Sequence, residues 1–185
     1  GQVVASALLS TYHSLHELPA YAQLSDSQTV YLGGSLEPTQ FSVELEASAA
    51  IRAAVRHLAL QHGCARVACV TGPVFNPETV LRLRAYRKAV RELEQDWDSS
   101  WEECGDFTVS GGERAIQVLM ERLPGIEGVF FMSDAMALGA LRYFEKARIP
   151  GHRRPRLISF DDIEELQYLS IPLSTIAQPL DLLMD

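Results

Sequence analysis

Several motifs that would name an enzyme class are missing from this 185-residue chain. There is no phosphate-binding P-loop, no Gly-x-Ser-x-Gly nucleophile elbow, no dinucleotide fingerprint and no cluster with metal-ligand spacing. Lysine is scarce, and Lys88 and Lys146 both fall in helical patterns. Neither sits at a strand end, where it could support an aspartyl phosphate. No apolar run reaches the length of a membrane span, and no signal peptide is visible. Positive charge is in the minority. The net charge of −8 argues against a polyanion partner, so no direct nucleic-acid contact is expected of this segment. The cysteines, Cys64, Cys69 and Cys104, are odd in number and lack a metal spacing, which fits buried or idle thiols in a reducing, cytoplasmic compartment. No metal or cofactor is expected, and no internal repeat is present.

What the chain does have is an alternation of strand and helix patterns. Hydrophobic residues make up 47% of it, ordinary for a globular protein. Val3 to Leu9 is a short apolar run, Leu15 to Leu24 is weakly helical, and Thr29 to Leu32 is a β-rich run stopped by Gly33-Gly34. Pro38 to Gln40 is a turn. Glu44 to Gln61 has helical periodicity, with Ile51, Ala54, Val55 and Leu58 on one face and Gly63 as a C-cap. Arg66 to Thr71 is a strand. Asn76-Pro77 then reads as N-cap and first residue of a helix that runs to about Glu94. Trp101 to Phe107 is a strand, Glu113 to Leu123 a helix, Val129 to Met132 a strand and Ala135 to Lys146 its helix. Arg156 to Phe160 and Ser174 to Ala177 are further strands, and Leu180 begins another helix. This order means βαβ units and a doubly wound parallel sheet, an α/β fold with helices on both faces.

In open α/β sheets ligands bind at the carboxyl ends of the strands. The loops at that edge carry Asn76, Phe107, Asp134, Asp161, Asp162 and Gln178, with Arg82 further along the helix after Asn76. Carboxylates accept paired hydrogen bonds from vicinal hydroxyls, an arginine fork donates to ring oxygens or anions, and an aromatic face stacks on a ring. A rim of this kind suits a sugar, a nucleobase or a similar polar molecule. Spacing alone leaves the plainer alternative open, in which Asp134 N-caps its helix and Asp161 closes a turn. His13, His16 and Glu17 lie in a loop-like segment without a rigid frame and read as a solvated helix end. Arg84, Arg87, Lys88 and Arg91 read as a solvated face pairing with Glu92 and Glu94. The acidic stretch Glu94 to Glu103, with Trp97 and Trp101, reads as a surface turn, and Glu164 and Glu165 as the first turn of a helix.

These residues carry a family resemblance. Ser133-Asp134-Ala-Met-Ala-Leu-Gly-Ala-Leu-Arg142 resembles the "ND-x-MA-x-GA" segment of lactose-repressor-type (LacI/GalR) effector domains. Leu157 to Ile163 is similar to their "sVvGFDDi", and Pro172 to Pro179 to "PpLTTi-x-QP". Arg66 to Pro73, followed by Arg82 and Tyr86, resembles "rIAfigGp…R-x-x-GF". Gly105-Asp-Phe107 resembles "GDF", and His57-Leu58 with Gly63 resembles "HL…G". The matches keep family order from about residue 45 to 179. The resemblance implies a type I periplasmic-binding-protein-like fold, two lobes closing on a ligand, here with an incomplete first lobe. It divides the chain into residues 1–63, the later part of the N-terminal lobe; 64–178, the C-terminal lobe; and 179–185, the start of the crossover back.

Carried over residue by residue, Asp134, Arg82 and Phe107 fall on the family's principal effector contacts, with Asn76, Gln178 and Asp162 also on the cleft. The implied function is non-enzymatic: a small-molecule effector shifts lobe closure and the geometry of a homodimer, and so an attached output domain absent from this segment. That output is a DNA-binding headpiece or a signalling enzyme. The Gln61-His62-Gly63-Cys64 turn, with one extra residue before the glycine, and the Gly72 to Pro77 loop resemble the signalling branch somewhat more. The sequence departs from the family in places. The "VDN" cleft motif falls on Leu45-Glu46-Ala47, the strand-end Asn is Ser133, and the Gly of "GFDD" is Ser159. The first two βα units and the headpiece have no counterpart. The run from Gly1 to Leu9 resembles the family's third strand, so its apolar edge is expected to belong to a longer module or to meet a partner chain. A degenerate module that only dimerises, and an α/β enzyme using Asp134 or Asp162, are the alternatives.

Overall fold

A computed structural model of the chain describes residues 6–9, 29–32, 41–43, 46–93 and 97–179. The expectations for Leu15 to Leu24, Gly33-Gly34, Pro38 to Gln40, His13, His16 and the helix after Leu180 lie outside the described residues.

The described strands form two parallel sheets. β1 (Ser6–Leu9), β2 (Thr29–Leu32) and β3 (Phe41–Val43) make a three-stranded sheet in sequential order. The second sheet has five strands: β4 (Val67–Thr71), β5 (Glu102–Cys104), β6 (Gly128–Phe131), β7 (Arg156–Asp161) and β8 (Ser174–Ala177). Their spatial order is β5-β4-β6-β7-β8, every pair parallel. From β4 the chain winds outward to β5, returns past β4 to β6, and then winds the other way. The reversal lies between β4 and β6, so the loops leaving them diverge and open a crevice at the carboxyl edge.

The central strands are largely apolar because both faces are covered. Val67 to Val70, Val129 to Met132 and Ile158 to Phe160 are all buried. α1 (Ser48–Arg56) packs against α2 (Pro77–Glu92), and α3 (Val109–Arg122) against α4 (Asp134–Lys146). Ile51, Val55 and Leu58 share one core with Val67, Val70, Tyr86 and Val90. α1 thus buries its apolar face in the core of the second sheet. Tyr86 closes this side by donating its hydroxyl to the Val67 carbonyl at 2.8 Å.

α1 ends in a single π turn, His57–Gln61, in which the His62 N–H donates to the His57 carbonyl at 3.3 Å. One extra residue in a helix is absorbed as such a turn, and Gly63 follows it at φ +67°. Of the basic run on α2, Arg87 leaves the expected pattern. It forms a bidentate pair with Glu102 of β5, both hydrogen bonds 2.7 Å long. Lys88 does face Glu92, at 4.0 Å.

α3 begins four residues earlier than its sequence pattern suggests, with Thr108 as N-cap accepting from the Gly111 N–H at 3.0 Å. Ser110, Gly111 and Gly112 therefore form its first turn rather than a lead-in. The glycines are there for contact. A Cβ on Gly112 would lie 2.0 Å from the Met136 carbonyl oxygen, and one on Gly139 2.0 Å from that of Val109. The α3–α4 crossing thus brings backbone against backbone, which sets the height at which α4 meets the sheet edge. Gly112→Ala is expected to cost about 2–3 kcal/mol of stability, the scale of overpacking against an unyielding backbone. Urea denaturation measures it, and a variant as stable as the parent would show that the crossing can widen freely.

Candidate functional site

The crevice between β4 and β6 is bridged by Arg82. Its guanidinium is buried, and Nη1 donates to the Met132 carbonyl at the end of β6 at 2.7 Å. Nη2 donates to Glu78 Oε2 at 3.2 Å, one helical turn back on α2. The guanidinium lies 3.9 Å above the Phe160 ring, a cation–π arrangement that fixes its plane. Nη1 also faces Asp161 Oδ1 at 3.8 Å, and Nε is buried without a partner. Arg82 is thus anchored at one end while part of its fork faces the crevice.

Asp161, the last residue of β7, supplies the opposing charge. Gln178, just past β8, donates from Nε2 to Asp161 Oδ1 at 2.5 Å. Burial pushes the Asp161 carboxyl up to about 6, against the opposing pull of Arg82 and of the Gln178 hydrogen bond. Its backbone is strained as well, with φ +122° at Asp161 followed by +62° at Asp162. Such angles cost of order 1–3 kcal/mol each and persist only where the surroundings impose them.

Asp134 is what imposes them. The sequence reading makes it a principal ligand contact or, alternatively, a helix cap. The structure gives the cap to Ser133, whose hydroxyl accepts from the Met136 N–H at 3.3 Å. Asp134 is the next residue and is fully buried. Its Oδ2 accepts from the Ile163 N–H at 2.9 Å, and its Oδ1 from the Thr175 hydroxyl at 2.7 Å. The Thr175 oxygen in turn accepts from the Asp162 N–H at 3.3 Å. Both carboxylate oxygens are therefore engaged within the protein, and the group clasps the loop after β7 to β8. A carboxylate held this way acts as an acceptor that ties the strand ends together.

The other sequence candidates divide. Phe107 lies in the loop after β5 at φ +60°, and its ring covers Gly72 so closely that a Cβ there would sit 2.0 Å from the ring. Asn76 is buried and caps α2, accepting from the Thr79 N–H at 3.3 Å. Asp162 has an exposed side chain that turns away from this pairing, so its backbone, not its carboxylate, takes part. Gln178, Arg82 and Asp161 come together. Glu78 and Phe160 join them without having been singled out from sequence. A carboxylate one turn before an arginine on a helix is the signal that could have marked Glu78. For Asp161, neighbouring aspartates at positive φ break the strand's alternation, so parity cannot tell which one faces the crevice. Beside Arg82, a cavity of about 280 Å³ opens between the start of α1 and α2, lined among others by Glu46, Ile51, Glu78 and Leu81. Among the described residues no group of three or more His, Cys, Asp or Glu could hold a metal ion.

Residues 55–184 match the model of the periplasmic binding protein-like domain. The HTH-type transcriptional regulator CelR of Thermobifida fusca is 30% identical over 189 aligned positions, covering 99% of this chain and 54% of that protein. The ribose operon repressor of Escherichia coli K12 is 34% identical over 122, covering 66% of this chain and 37% of the repressor. The structure of a CelR–cellobiose complex superposes with a TM-score of 0.83 at 27% identity, covering 96% of this chain and 55% of that one. A LacI family regulator from Enterococcus faecium with bound ribose gives 0.71 at 26% identity, covering 82% and 56%. The chain spans about half the length of CelR and less of the ribose repressor.

Two substitutions separate the carboxylates. Asp134→Ala leaves the Ile163 N–H and the Thr175 hydroxyl without their acceptor and is expected to lower stability by about 2–4 kcal/mol. A thermal melt unchanged from the parent would show that the clasp holds nothing. Asp161→Asn acts the other way. A carboxyl raised from about 4 when unfolded to about 6 when folded stabilises the fold below pH 4, and that contribution is lost as pH climbs to 6. The Asn variant is therefore expected to melt higher than the parent at pH 7.5, by on the order of 2 kcal/mol. The gap should close as pH falls to 4, and a gap independent of pH would contradict this.

Proposed function

The chain belongs to the periplasmic binding protein-like domain family, in its lactose-repressor branch, and on that premise we propose that it is the sugar-sensing part of a cytoplasmic transcriptional regulator. The observation that carries this is the Arg82–Asp161–Gln178 group at the point where the winding of the sheet reverses. It offers a fixed donor fork, a carboxylate and an amide to one small polar ligand, with the Phe107 ring on the same rim and the cavity beside Glu78 as room to extend. CelR and the Enterococcus faecium regulator, which resemble the chain along most of its length, were solved with cellobiose and ribose respectively.

In this reading Arg82, Asp161 and Gln178 contact the ligand, Phe107 and Asn76 shape the rim, and Asp134 positions Asp161 through Thr175 and Ile163. The lobe boundary falls near Glu46, ahead of α1, since α1 packs with the second sheet. Ligand binding draws the two lobes together, and the closure is passed to an output domain through a homodimer. Among the exposed large apolar side chains of the described residues, Tyr168, Val74 and Ile171, at 75%, 73% and 57%, are available for such a contact. Bound sugar at a hundred times its dissociation constant adds about 2.7 kcal/mol of stability. Cellobiose or ribose is accordingly expected to raise the melting temperature, and Arg82→Ala to abolish that rise while circular dichroism shows a folded chain. A shift that survives in the Arg82 variant sinks this site. The absence of any shift across a sugar panel favours the module that only dimerises.

A further inference from the structure

This inference rests on the sensor reading above and concerns the charge of the ligand. An arginine near the amino end of a helix ordinarily makes a site for anions, because its fork and the helix dipole both favour negative charge. Here the surroundings oppose that. Arg82 Nη2 is committed to Glu78, which lies in the first turn of α2, and Nη1 to the Met132 carbonyl. Asp161 faces Nη1 at 3.8 Å. Glu46 lines the same cavity as Glu78, and Arg82 is the cation among its described lining residues.

The distance between Arg82 Nη1 and Asp161 Oδ1 is too long for a direct hydrogen bond. A ligand hydroxyl fits between them, since it accepts from the guanidinium and donates to the carboxylate at once. A phosphate oxygen only accepts, and it would bring its charge against Asp161 and Glu78. The geometry points to Glu78 and Asp161 as a charge filter: flanking Arg82, they make the site one for uncharged polyhydroxylated ligands and exclude the phosphate esters of the same sugars.

The test is calorimetric titration of matched pairs: ribose with ribose 5-phosphate, glucose with glucose 6-phosphate, and cellobiose with its 6-phosphate. At low ionic strength an uncharged sugar is expected to bind at least tenfold more tightly than its ester. Glu78→Gln is expected to reduce that ratio severalfold by improving ester binding. Raising the salt concentration to several hundred millimolar should also reduce it in the parent protein by screening, a measurement that does not depend on the variant folding. An ester that binds as tightly as its parent sugar, or a ratio that neither the substitution nor salt moves, overturns the filter and leaves the sensor reading standing. Failure of every sugar and every ester to bind overturns both.

Discussion

A fully buried carboxylate at the start of α4 holds the sheet edge together. Asp134 is engaged within the protein, one oxygen accepting from the Ile163 N–H and the other from the Thr175 hydroxyl. What it does is fix the path of the chain after β7. That path passes through successive positive φ angles at Asp161 and Asp162, and left alone it would relax. The energy that keeps it strained comes from hydrogen bonds made in a buried setting, where an unpaired acceptor or donor is costly. The helix start adds to this, since a negative charge in the first turn of α4 is favoured by the dipole.

The strained path also orients two side chains. It turns Asp161 toward Arg82 and leaves Asp162 in solvent. Asp161 then sits in a setting that disfavours its own ionisation, with its carboxyl raised to about 6 by burial. This is a local loss of stability at the proposed site, of the kind found where binding rather than folding is selected. Arg82 is organised in the opposite sense. Its guanidinium is anchored to the Met132 carbonyl, lies over the Phe160 ring and pairs with Glu78, so little side-chain entropy remains to be lost on binding.

Both groups depend on packing well away from the rim. The α3–α4 crossing can be close only because Gly112 and Gly139 carry no side chain, and that closeness places Ser133 and Asp134 at the strand end. On the other face, α1 and α2 share a core with β4, which sets Arg82 over the reversal of the sheet. In the proposed filter, the acidic residues beside Arg82 then decide what a fixed arginine can recognise.

Much of this was legible in the sequence. Continuous apolar runs ending in polar residues gave parallel strands buried on both faces, because a strand covered twice has no polar side. The motif order placed the fold and its family, and Asn76-Pro77 marked the start of α2, because a cap and a first-turn proline act locally. Arg82, Phe107 and Gln178 were found on the rim by the same logic. Which aspartate faces Arg82 was not legible. Ser133, Asp134, Asp161 and Asp162 are each short polar residues at a strand end, and their places as cap, clasp, partner of Arg82 and solvated turn differ only in what they meet. Those partners, Met136, Ile163, Thr175 and Gln178, lie as far as 41 positions away along the chain. Local sequence determines where a carboxylate enters the sheet edge, and only the tertiary structure decides whether its oxygens are already spent.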